Sequence, residues 1–212
     1  AVYMGNVLSA GVGQAPARQA AIYAGLPHSV PALTVSKVCG SGLEAVILGT
    51  VAIRLGDAEI VVAGGMESMS QAPYLMPRAR TGLRMGHAQV IDAMIHDGLW
   101  DPYDNLHMGQ AGERCAGLLE LDREQQDAYA RRPYTRARAA QASEESAREI
   151  VPVSVPGKRG AVEVALDEEP GKSDLDKLPQ LKPAFQNPGS ITAGNASKIN
   201  DGAAAVVLAS GA

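Results

Sequence analysis

Two cysteines are all the thiol chemistry that these 212 residues hold. Cys39 and Cys115 stand far apart, with no CxxC or CxxH spacing. That argues against a disulfide framework or a zinc site and fits a reducing, intracellular setting. Aromatic residues are also scarce, with one Phe, one Trp and six Tyr making up 4% of the chain. An interior short of rings and rich in Ala, Val and Gly fits helices lying close on a sheet. No apolar run approaches the roughly 18 residues that cross a membrane. No charged-then-apolar start marks a secretory signal. An excess of basic charge is missing too: 19 Lys and Arg against 23 Asp and Glu give a net charge of -4. This argues against broad nucleic-acid binding. There is no HExxH, no Walker loop and no Ser-His-Asp order, and "GGMES" at 64–68 lacks the GxGxxG spacing of a dinucleotide site.

What is present is a globular profile with 46% apolar residues. The first 65 residues alternate strand and helix patterns. Val2 to Leu8 is β-rich, and Pro16 sits where a first helical turn tolerates proline, ahead of a helix over Ala17 to Ala24. Leu33 to Val38 reads as a strand, Leu43 to Leu55 as a helix, and Glu59 to Ala63 as a third strand. Two βαβ units with right-handed crossovers follow from that order, hence a layered α/β core with parallel strands. Residues 71–100 break the pattern with Pro73, Pro77 and several glycines, and four of the seven methionines fall between Met69 and Met94. Irregular excursions of that length are usually functional or interfacial.

Further on, Leu106 to Leu119 reads as a helix, and a second runs from Leu121 to about Ala142, opened by an Asp122/Gln125 capping box. Pro133 falls inside it and is expected to kink it or reset its start, at a cost of about 3 kcal/mol. Residues 149–169 form two strands around a Gly-Lys-Arg-Gly turn, a hairpin whose tip carries Lys158 and Arg159. "DLDKLPQLKPAF" reads as a short helix plus loop, and "GAAAVVLAS" closes the chain as another strand. The expected organisation is a core at 1–70 and 190–212 with an inserted loop domain at 71–189. A start without Met at what already reads as a strand suggests a piece of a longer protein.

"VSKVCGSGLEAVILG" raises the chemical question. Cys39 ends a strand and precedes Gly40, Ser41 and Gly42, which open a helix. Free N–H groups and the positive end of the helix dipole favour thiolate at such a junction. Ligands also gather at the carboxyl ends of strands in open α/β sheets. A nucleophile and a small packing residue both satisfy this pattern. His28, His87, His96 and His107 are available as a base, none within a clear partner motif.

Taken together, "KVCGSGLEAVILG", "DAEIVVAGGMESMSQAPYLM", "NLHMGQAGERCA", "REQQDAYA", "EIVPVSV", "KPAF" and "TAGNASKINDGAAAVVLAS" resemble the thiolase family, in order and across essentially the whole chain. The resemblance implies a thiolase-like α/β core with a mixed sheet, incomplete at both ends. It also implies acyl transfer between coenzyme A thioesters: Cys39 as nucleophile forming an acyl-enzyme, and two acetyl-CoA giving acetoacetyl-CoA and CoA, or the reverse thiolysis. The VCGSG form is more similar to acetyl-CoA acetyltransferases than to the fatty-acid-degrading branch. A long-chain 3-ketoacyl-CoA thiolase and a non-catalytic acyl-CoA or lipid-binding module are the alternatives.

By the same resemblance His107 and Met108 line the substrate and pantetheine region, and Ser197 bonds the pantetheine arm. His107 as a helix-start residue, Met108 as core and Ser197 as turn chemistry are the structural alternatives. The resemblance further implies no cofactor or metal beyond the thioester substrates, and a dimer or tetramer contacted through the Met-rich stretch. No nucleic-acid or membrane partner is expected, and a cytoplasmic location is, with mitochondrion and peroxisome open. Cys115 matches no catalytic motif and reads as packing. Lys198 stands where the family has glycine and Pro133 where it has serine; Lys172 is the available cation for the coenzyme's phosphate. The family's C-terminal Asn-Glu-Ala-Phe, Gly-His-Pro and Cys-x-Gly-Gly-Gly segments, with their catalytic histidine, oxyanion site and second cysteine, are not in this sequence.

Overall fold

The computed structural model describes residues 1–143, 146–158 and 160–211. In chain order its main elements are β1 (Val2–Gly5), α1 (Pro16–Tyr23), β2 (Ala32–Val35), α2 (Ser41–Leu55), β3 (Ile60–Ser68), α3 (Met108–Leu118), α4 (Arg123–Ala142), β4 (Val153–Val155), β5 (Val162–Val164) and β6 (Asp201–Ala209). Two compact units result, one of residues 1–105 with 198–212 and one of residues 106–197.

In the first unit the sheet order is β6-β3-β1-β2. β1 runs parallel to β2 and β3, pairing Val2 with Ala32 and with Val62, while β6 is antiparallel to β3. The sheet is therefore mixed. Strand alternation sends Val2 and Met4 to one face, where they meet Ala17 and Ala21 of α1. Val61 and Ala63 face the other way and meet Ala45 of α2. Alanine at the helix contacts lets each helix sit low on the sheet, so a core almost without rings still closes.

Pro16 opens α1 as the sequence indicates. β3 runs five residues beyond its expected end, through the Gly64-Gly65 pair to Ser68, because β6 pairs along its whole length. One 18-residue window, Val38–Leu55, reaches a mean hydropathy of 1.6 and is 22% buried. α2 itself has 15 residues. At 1.5 Å per residue that is about 22 Å, short of the roughly 30 Å hydrocarbon core of a bilayer.

In the second unit, Asp122 caps α4 and the box with Gln125 is complete in both directions. Pro133 neither ends nor restarts that helix, which runs unbroken for 20 residues. The tertiary amide removes one i→i−4 bond, and the bonds on either side carry the helix past it. β4 and β5 form the expected antiparallel hairpin, Val153 opposite Val164. Lys158 lies at its exposed tip, and Arg159 lies outside the described residues.

Candidate functional site

The turn between β2 and α2 is built around an unusual backbone angle. Val38, immediately before the cysteine, has φ 48°, in the left-handed region. A β-branched residue there is an outlier that persists only where its surroundings hold it. Ser41 does the holding. Its hydroxyl accepts from the Lys37 N–H at 2.8 Å and donates to the Val38 carbonyl at 2.6 Å, while its own N–H reaches the same carbonyl at 3.1 Å. The side chain is buried, so these bonds form out of water. Lys37 is pinned in turn by Glu44 of α2, at 2.6 Å.

The sheet admits this turn because Gly5 ends β1 beneath it. A Cβ on Gly5 would come within 2.6 Å of the Ser41 carbonyl carbon and 2.7 Å of the Gly42 nitrogen. Glycine at position 5 therefore allows the amino end of α2 to sit on the carboxyl ends of the strands. Cys39 is left exposed as a free thiol at the rim of a cavity of about 460 Å³. Leu8, Val38, Met66, Met69 and Leu99 supply its apolar wall. α2 begins after Gly40, which offers no side-chain cap, and the Ser41 N–H of its first turn goes to the Val38 carbonyl.

Glu67, the acid of "GGMES", also lines this cavity but is engaged with the backbone. Its carboxylate accepts from the N–H groups of Val7 and Leu8 and from Asn6 Nδ2, each at 2.9 Å. The loop after β1 is thereby tied to the end of β3. Asn6 is buried, and among the described residues its Oδ1 has no hydrogen-bond partner.

In the second unit, His107 caps α3: its Nδ1 accepts from the Gly109 N–H at 3.0 Å, and its own N–H goes to Gln110. An Nδ1 used as acceptor leaves Nε2 as the N–H of the neutral ring. The only phenylalanine in the chain, Phe185 of "KPAF", stacks on this imidazole with centroids 5.0 Å apart and planes 21° apart. A Cβ on Gly109 would run into the Phe185 ring, so the glycine of "HMGQ" is what lets "KPAF" dock. Met108 follows at the first helical position, 42% exposed.

Ser197 is exposed and lines a cavity of about 580 Å³ with Tyr129, Pro133 and Tyr134 of α4 and with Gly194 to Ala196. His107 and Met108 do not line it. Cys39 belongs to the first unit, and His107, Met108 and Ser197 to the second.

Cys115, expected to serve packing, is exposed. α3 turns Glu113 and Ala116 inward instead. Lys172 is paired with Glu168 at 2.9 Å on an exposed turn. Among the described residues no group of three or more His, Cys, Asp or Glu could hold a metal ion. The residues that sequence reasoning passed over are those that support others: Val38, Ser41, Glu67, Glu113 and Phe185. Phe185 had a signal, being the one Phe in an aromatic-poor chain. Left-handed geometry at a valine has none.

The first unit thus presents an exposed cysteine at a strand-to-helix turn on a mixed α/β sheet. The comparisons make the family specific. The family model "Thiolase, N-terminal domain" matches residues 1–212. The chain is 55% identical to an acetyl-CoA acetyltransferase of Pseudomonas aeruginosa, over 100% of its own length and 54% of the relative's. It is 53% identical to acetyl-CoA acetyltransferase 1 of Arabidopsis thaliana, over 99% of its own length and 51% of the relative's. Among solved structures, the Acat5 thiolase from Ascaris suum, crystallised in complex with coenzyme A, superposes with a TM-score of 0.89 at 45% identity, covering 99% of this chain and 53% of that one. This chain belongs to the thiolase family. It spans about half the length of the curated relatives it matches.

Proposed function

We propose that this chain carries the nucleophile of an acetyl-CoA acetyltransferase, and that Cys39 is that nucleophile. The observation that carries the reading is the Cys39 turn, in which Ser41 holds a strained Val38 and leaves the thiol at a cavity rim. Strain retained at a site points to function there. The names of these relatives support acetyl-CoA as substrate, and the coenzyme A complex of the Ascaris suum thiolase supports binding of its thioesters.

In the proposed reaction the Cys39 thiolate attacks the thioester carbonyl. The tetrahedral adduct expels coenzyme A as thiolate, which takes up a proton, and an acetyl group remains on sulfur. A second acetyl-CoA, deprotonated at its α-carbon, then forms the new carbon–carbon bond to that acetyl carbonyl, and Cys39 leaves as thiolate with acetoacetyl-CoA as product. Splitting the exchange into two displacements is the benefit of covalent catalysis. The amino end of α2 suits the negative charge that develops there. His107, with Nε2 as its N–H, and Met108 are proposed to border the substrate, and Ser197 to bond the pantetheine arm. No resident cofactor or metal takes part, and a homo-oligomer is the proposed assembly.

Replacing Cys39 tests the reading. Cys39→Ser is expected to abolish acetoacetyl-CoA formation in the enzyme, and turnover by that variant would refute the assignment. Running acetoacetyl-CoA against longer 3-ketoacyl-CoA substrates tests chain length, and the short substrate is expected to win.

A further inference from the structure

We infer that Glu113 is a positioning residue for coenzyme A binding, acting through the loop that ends at Ser197. The inference rests on the proposed contact between Ser197 and the pantetheine arm.

Glu113 lies on α3, only 6% exposed, and accepts from three donors of one loop. The Ser190 N–H lies 2.9 Å from both carboxylate oxygens, the Ser190 hydroxyl 2.7 Å from Oε2, and the Ile191 N–H 2.8 Å from Oε1. Burial works to raise its pKa, but the donors of Ile191 and Ser190 outweigh it and hold the carboxyl below its ordinary value of 4.5. A second carboxylate, Asp127 of α4, grips the same loop further along. Asp127 is 7% exposed and accepts from Asn195 Nδ2 at 2.9 Å and from Arg123 at 2.7 Å.

Asn195 then closes the loop on itself. Its Oδ1 takes the Thr192 N–H at 2.7 Å and its Nδ2 reaches the Ser190 carbonyl at 3.1 Å. Gln126 of α4 donates to the Ser190 hydroxyl at 2.9 Å, and the Ala196 N–H returns to the Thr192 carbonyl at 2.9 Å. Two helices thus fix a loop from Ser190 to Ala196, and the next residue is Ser197 at the cavity edge. Burying two carboxylates is costly unless their bonds are satisfied. A satisfied buried network fixes a geometry more than it adds stability. Here the geometry fixed is the approach to Ser197.

Steady-state kinetics of the enzyme with acetyl-CoA, for Ser197→Ala, Glu113→Gln and the double variant, separate the possibilities. The expected result is that each single variant raises KM by about fivefold or more while kcat changes far less, and that the double variant raises KM no further than Ser197→Ala does. Such non-additivity marks action through Ser197. If Ser197→Ala raises KM but Glu113→Gln lowers only the melting temperature, or the two effects on KM multiply, Glu113 is merely structural and the inference is overturned. If Ser197→Ala leaves KM unmoved, the binding role of Ser197 is wrong and the inference falls with it. Should Glu113→Gln not fold, Gln126→Ala removes the bond to the Ser190 hydroxyl from the other helix and is judged by the same criteria.

Discussion

Val38 and Ser41 work as a pair: one holds a backbone angle that valine seldom adopts, and the other supplies the bonds that keep it there. Ser41→Ala removes both hydroxyl bonds in a buried place and is expected to cost about 1–3 kcal/mol in a urea titration. It is also expected to change the rate of Cys39 alkylation while Cys115 stays as it was. Equal alkylation in the variant and the parent would show that the turn needs no such support. Glu113 gives a pH prediction. Its folded pKa lies below the ordinary 4.5, so its contribution to stability is present above that value and lost as pH falls through the folded pKa. The gap in urea midpoint between parent and Glu113→Gln is therefore expected to be constant near pH 7 and to shrink below about pH 4.5. A gap independent of pH would contradict the assignment.

At the scale of elements, the close seating of α2 on the sheet depends on Gly5. Gly5→Ala would drive a methyl into the Ser41 and Gly42 backbone, and a shift of the helix start is expected to cost about 1–3 kcal/mol. The calorimetric melting temperature reads this, and an unchanged value would mean that the turn yields freely. Much of the element order was legible beforehand. Pro16, the Asp122/Gln125 box and the apolar alternation on either side of the Gly-Lys-Arg-Gly turn are local signals, and local signals place starts and turns. Long-range effects were not legible. β3 runs on through two glycines because β6 lies alongside, and α4 survives Pro133 because its neighbouring turns hold. The site shows the same division. Cys39 announces itself by its Gly-Ser-Gly context, while the Glu113–Ser190 contact joins residues 77 apart and leaves no mark on either segment.

For the molecule as a whole, the family assignment rests on agreement across all 212 residues, from the strand before Gly5 to the last strand. The two units divide the proposed labour. The first presents the thiol, and the second holds a capped histidine stacked on Phe185 together with the Ser197 loop. The central claim is that acetyl groups pass through Cys39. Peptide mass spectrometry of the enzyme quenched during turnover with acetyl-CoA tests it most directly. The account predicts an acetyl thioester on the peptide holding Cys39, none on the peptide holding Cys115, and loss of the label on chasing with free coenzyme A. Acetyl on Cys115 alone, or turnover with Cys39 never acetylated, would contradict it.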